Sequence, residues 1–102
     1  MNSPILKLLL TTIFLFGAYT INAQQNISDS LQHQNYQRQY IVHLPPGYNN
    51  NSPTPAVIVL HGGSGNYQSV QGFTQMNFVS NQNDFLAVYP QGIGNAPPGY
   101  SW

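Results

Sequence analysis

The chain has 102 residues with two basic side chains (Lys7, Arg38), two acidic ones (Asp29, Asp84), no net charge and only 4% charged residues. Charge this sparse offers no basic face to nucleic acid and no acidic tail. Cysteine is absent, which excludes disulfides, thiolate metal sites, a cysteine nucleophile and a lipid-modified amino-terminal cysteine.

Met1 to Lys7 carries one lysine plus the terminal amine, Leu8 to Ala18 is an apolar run (LLLTTIFLFGA), and Tyr19 to Ala23 is a short polar-to-small exit. This is the three-part layout of a secretory signal over residues 1–23, with Ile21 and Ala23 preceding a cut ahead of Gln24. The eleven apolar residues fall short of the ~20 that cross a ~30 Å hydrocarbon core. A cleaved leader is therefore preferred to a retained membrane anchor, and the expected location is extracellular or periplasmic. The 79 residues left would form a core supplying only ~3–5 kcal/mol, which favours the front of a larger domain.

Residues 24–35 (QQNISDSLQHQN) are polar with almost no apolar period and read as a flexible lead-in. Asn26-Ile27-Ser28 and Asn50-Asn51-Ser52 fit the glycosylation sequon, a cheap match in so Asn-rich a chain. Tyr36 to Leu44 (YQRQYIVHL) alternates imperfectly and predicts an antiparallel strand near a sheet edge. Pro45-Pro46-Gly47-Tyr48 ends it in a turn, and Asn49 to Thr54 forms a loop tip.

Ala56 to Leu60 (AVIVL) is an unbroken, largely β-branched run that predicts a strand buried on both faces of a parallel sheet. His61-Gly62-Gly63-Ser64-Gly65 follows, with three glycines in four positions, so backbone N–H groups there can approach a bound group closely. Such a loop sits at the carboxyl end of a sheet, where open α/β folds place their sites. Beyond it, a short helix is expected from about Thr74 to Gln82 with Thr74 as N-cap. Phe85 to Tyr89 (FLAVY) is a second apolar strand closed by Pro90. Strand, loop, helix and strand over about 35 residues make a βαβ unit with a parallel pair. Gln91 to Trp102 (QGIGNAPPGYSW) is glycine- and proline-rich and reads as a loop in which the chain stops.

Arg38 to Tyr48 (RQYIVHLPPGY), Pro55 to Gly65 (PAVIVLHGGSG), Phe85 to Gly92 (FLAVYPQG) and Trp102 together resemble the opening of the secreted polyhydroxybutyrate depolymerase and feruloyl esterase family. Its pattern is an R-x-Y-x-v-x-x-P strand, a P-x-V-x-x-L-H-G strand and loop, a G-F-x-V-x-Y-P-x-G strand and a tryptophan. Asp84 stands where that family often has glycine. The resemblance implies an α/β fold, the amino-terminal part of an α/β-hydrolase sheet over residues 36–102, cut off before the nucleophile elbow. It implies a serine esterase acting on polyester or plant-cell-wall esters through an acyl-enzyme, without cofactor or metal. It also implies that nucleophile, acid and base all lie downstream, so the fragment alone is expected to be inactive.

What remains for this chain is backbone: Gly62, Gly63 and Ser64 are the candidate oxyanion-hole donors. The bland alternative is that the glycines only permit a tight exit from the strand. Ser64 is not read as a nucleophile, because Gly63-Ser64-Gly65 lacks the outer spacing of G-x-S-x-G and position 66 is Asn. His61 is expected to fix the loop by hydrogen bonding, His43 to lie on a strand face and His33 in solvent. Gly62 to Gly65 has no following Lys-Ser or Lys-Thr, and Pro97-Pro98 forbids the helix a dinucleotide fingerprint would open after Gly94. Three histidines without a carboxylate cluster are a poor metal site. A different class stays open: a small secreted carbohydrate-binding module stacking sugars on Tyr36, Tyr40, Tyr48, Tyr67, Tyr89, Tyr100 and Trp102.

Overall fold

The computed structural model describes residues 23–102. The expected leader, apart from Ala23, lies outside the described residues. Among the described residues, six strands and two helices follow one another: β1 (Gln25–His33), β2 (Tyr36–Leu44), β3 (Ala56–Ile58), α1 (Tyr67–Thr74), α2 (Met76–Asn83), β4 (Leu86–Pro90), β5 (Gly94–Ala96) and β6 (Gly99–Ser101). The first four strands form one sheet in the order β1-β2-β4-β3, and β5 and β6 pair separately.

The stretch read as a flexible lead-in is strand β1, paired with β2 from Gln25↔Leu44 to His33↔Tyr36. Gln34 and Asn35, both at positive φ (49° and 67°), make the two-residue connection whose twist suits a right-handed hairpin. The ladder to β2 fixes a segment whose own apolar content, Ile27 and Leu31, is too thin to signal a strand. With β1 on its flank, β2 lies one strand in from the margin, near the edge as expected but not the edge strand itself. Its antiparallel sense holds on both sides, the second partner being β4 (Tyr40↔Pro90 to His43↔Ala87). The turn after β2 forms as the prolines and glycine require: Tyr48 N–H donates to the Pro45 carbonyl at 3.1 Å and Gly47 takes φ 81°, the left-handed third position of a type II turn behind Pro46.

β3 and β4 pair in parallel (Ala56↔Leu86 to Ile58↔Val88), and the ladder is extended by Leu86 N–H to the Pro55 carbonyl and Val59 N–H to the Val88 carbonyl, both 2.8 Å. The βαβ expectation is therefore met in its pairing. The position of its first strand is not: β3 lies at the margin of the sheet, with Ile58 66% and Leu60 59% exposed and only Val59 of the run buried. The reason is geometric. Among the described residues β3 has a neighbour on one side only, and both helices lie on one face.

That face carries the core. Ile41 of β2, Ala87 and Tyr89 of β4, Val59 and Val70 of α1 are buried together, with Tyr67, Met76 and Phe85 packed around them. Two helices replace the single one expected between Thr74 and Gln82. Asn66, not Thr74, caps the start, its Oδ1 accepting from Ser69 N–H at 2.8 Å, and Gln91 Oε1 accepts from Tyr67 N–H at 2.8 Å. Two of the donors a helix start leaves orphaned are thus satisfied. Gln75 at φ 55° interrupts the run, and Thr74 Oγ1 donates to the Val70 carbonyl at 2.7 Å in the last turn of α1.

His43 is 1% exposed and ties three elements together. Its Nδ1 lies 2.6 Å from the side-chain amide of Asn26 on β1 and its Nε2 2.7 Å from that of Asn81 on α2. Asn81 Nδ2 donates in turn to Gln24 Oε1 at 2.7 Å. The residue expected on a strand face is on the helix-covered one. Tyr89, fully buried, donates its hydroxyl to Asn77 Oδ1 at 2.6 Å, and burial pushes its pKa up to about 12.

Candidate functional site

The glycine loop leaves the carboxyl end of β3 and turns at once into α1. The turn closes through Gly65 N–H to the Gly62 carbonyl at 3.0 Å, with Ser64 at φ 63°. A Cβ at Gly65 would stand 3.0 Å from the Gly62 carbonyl oxygen, so a side chain there would need that carbonyl to give by a few tenths of an ångström.

His61 is buried and organises the turn with both ring nitrogens. Nδ1–H donates to the Gly62 carbonyl at 2.7 Å, while Nε2 accepts from Gly92 N–H at 3.0 Å. Its expected role in fixing the loop is what the geometry displays, and neither nitrogen is left for proton transfer.

The three candidate donors are not equivalent. Ser64 N–H donates to the Tyr100 carbonyl at 3.0 Å and is not free to meet a substrate oxygen. Gly62 and Gly63 N–H have no hydrogen-bond partner among the described residues. Both glycines are exposed, and Gly62 lines an open cleft of about 270 Å³ that also takes in Leu60, Val70, Phe73, Ser69 and Asn66. The Ser64 hydroxyl is exposed and likewise without a partner among the described residues. Nothing there activates it as a nucleophile.

The terminal stretch read as loop is a hairpin, β5–β6, joined at Gly94↔Ser101 to Ala96↔Gly99, and it packs on the glycine loop. Tyr100 N–H donates to the Gly65 carbonyl at 2.9 Å, reciprocating the bond from Ser64. Trp102 Nε1–H donates to the His61 carbonyl at 2.9 Å, and its ring stacks on the His61 imidazole with centroids 4.6 Å apart. Backbone approaches this close demand glycine: a Cβ at Gly99 would collide with the Ser64 and Gly65 carbonyls, and one at Gly92 with the Ser101 carbonyl. The sequence reading missed these residues. The alternation of glycines around Pro97-Pro98 is the available signal, since glycine in a strand marks close approach of another backbone.

The aromatic side chains do not gather. Tyr89 is in the core, Tyr67 packs against it and Trp102 lies on His61, whereas Tyr36 and Tyr100 are exposed on different strands.

No family model matches the chain, and no curated protein is similar to it in sequence. Solved structures do match. A ferulic acid esterase superposes with a TM-score of 0.61 at 21% identity over 72% of this chain and 32% of its own. S-formylglutathione hydrolase from Staphylococcus aureus gives 0.54 at 18% over 78% and 36%. Vibralactone cyclase gives 0.53 at 13% over 88% and 28%. The chain thus spans about a third of the length of the structures it matches, and its architecture is that of part of an α/β-hydrolase.

Proposed function

We propose that this chain is the amino-terminal part of an exported carboxylic-ester hydrolase, of the kind that cleaves polyester or plant-cell-wall esters. The observation that carries the reading is the pair of unpartnered, exposed peptide units at Gly62 and Gly63 just past the carboxyl end of a parallel strand, with Gly62 lining a cleft. In the reaction, a serine supplied by later residues attacks the ester carbonyl, and its proton passes to a histidine. The carbonyl oxygen takes up negative charge as the carbon becomes tetrahedral. Two peptide N–H groups aimed at that oxygen stabilise it more than they stabilise the neutral ester, which is what lowers the barrier. Collapse expels the alcohol and leaves an acyl-enzyme, which water then hydrolyses.

His61 and Ser64 stay outside proton transfer in this scheme: the imidazole is fully engaged and the Ser64 amide is spent. The 102-residue chain alone is expected to be inactive. The fold shared with a ferulic acid esterase supports the reading, as does the resemblance of residues 36–102 to secreted esterases. The carbohydrate-module alternative loses Tyr67 and Tyr89 to packing within the fold and one ring face of Trp102 to His61.

The test is to express the reading frame beyond Trp102 and assay a p-nitrophenyl ester before and after a serine-directed phosphonate. Turnover in the extended product that the phosphonate abolishes is expected, with none from residues 24–102. Turnover insensitive to phosphonate would overturn the serine mechanism. Amino-terminal sequencing of the exported protein should begin at Gln24.

A further inference from the structure

From the packing of the terminal hairpin we infer that β5–β6 is a clamp that sets the direction of the Gly62 and Gly63 N–H groups, with Trp102 as a positioning residue acting through His61. The inference rests on the reading of those two glycines as oxyanion donors and goes beyond it, naming what holds them in place.

A loop with glycine at positions 62, 63 and 65 has little intrinsic preference for one conformation, yet an oxyanion site works only if its donors are fixed before charge develops. The internal restraints are few: the Gly65 to Gly62 bond and the Nδ1–H of His61 on the Gly62 carbonyl. Among the described residues, the other hydrogen bonds and the ring stack that hold residues 61–65 come from the terminal stretch. Two antiparallel backbone bonds join Ser64 and Gly65 to Tyr100. Gly92 N–H holds His61 Nε2, and Trp102 holds both the His61 carbonyl and its ring face.

These contacts bracket the two free donors. Trp102 fixes the residue immediately before Gly62, and Tyr100 fixes the residue immediately after Gly63. The bond to Ser64 also removes a third donor from the site, so the clamp selects which amides of the loop stay free. Gly99 lets the strands close to this distance, having no Cβ to strike the Ser64 and Gly65 carbonyls.

The experiment compares the chain with Trp102→Ala and Gly99→Ala by amide hydrogen exchange and by residual dipolar couplings at Gly62 and Gly63. The two substitutions break the clamp from different ends, and the exchange of β2 and β4 amides reports whether the main sheet persists. Exchange at Ser64 and Tyr100 is expected to speed up about tenfold or more. The couplings at Gly62 and Gly63 should change while β2 and β4 stay protected. Trp102→Phe, which keeps a ring but loses the donor, should fall between. Unchanged couplings in both variants would overturn the clamp, because the glycines would hold their aim without it. Loss of protection throughout the sheet in both would overturn it too, making the hairpin a general support of the fold. Neither readout involves ester turnover, so a clamp that passes in a protein without esterase activity refutes the ester reading alone.

Discussion

Replacing His43 by leucine removes the hub between β1, β2 and α2 while keeping an apolar side chain of similar bulk in a site that is 1% exposed. Two hydrogen bonds disappear, to Asn26 and Asn81, each with a net value of about 0.5–1.5 kcal/mol. Asn26 is exposed and Asn81 half-buried, so both amides regain water and the larger cost of a trapped polar group does not apply. The expected loss is therefore about 1–3 kcal/mol. Set against a core of this size, worth ~3–5 kcal/mol, that is a large share. Urea unfolding with a slope of about 1 kcal/mol per molar should show the midpoint falling by about 1–3 M. A double-mutant cycle with Asn81→Ala isolates the contact, and a coupling of about 0.5 kcal/mol or more is expected. An unchanged midpoint, or a coupling of zero, would refute the view that the His43 network binds β1 and α2 to β2.

Other consequences follow from single residues. Asn66→Ala deletes the α1 cap and should cost about 1 kcal/mol in denaturant unfolding, with Asn66→Asp restoring most of it. Burial raises the pKa of Tyr89 to about 12 from its ordinary 10.0, so the fold favours the protonated phenol. The resulting stability is complete below pH ~10 and is lost as pH rises through ~12, which thermal melts across that window should reveal and Tyr89→Phe should diminish. In an extended, active protein, Gly62→Pro removes one proposed donor and should lower kcat about 10²–10³-fold with little change in KM. Equal falls in kcat and rises in KM would point to a collapsed loop instead.

How much was legible in the chain varies with how local the cause is. The β2 limits, the turn at Pro45–Tyr48 and the parallel pairing of the two apolar runs follow from alternation, proline and β-branching, and the structure repeats them. β1 was not legible, since its order comes from a nine-residue ladder to β2 and not from its own polar residues. Asn66 could have been read as a cap, as it immediately precedes the first helical residue. The left-handed Gln75 that splits the helix had no comparable sign.

Sequence alone determined that an apolar, β-branched strand runs into a glycine loop, because such runs and Gly-Gly steps constrain backbone conformation within a few residues; that this strand lies exposed at the margin of the sheet it did not show. Which amides of that loop are free, and which are consumed, was decided only in three dimensions. Ser64 and Gly63 are adjacent and both can donate, but a hairpin some 35 residues later takes one and leaves the other. A hydrogen bond depends on the distance and angle between groups far apart along the chain, and no local pattern of residues carries that information.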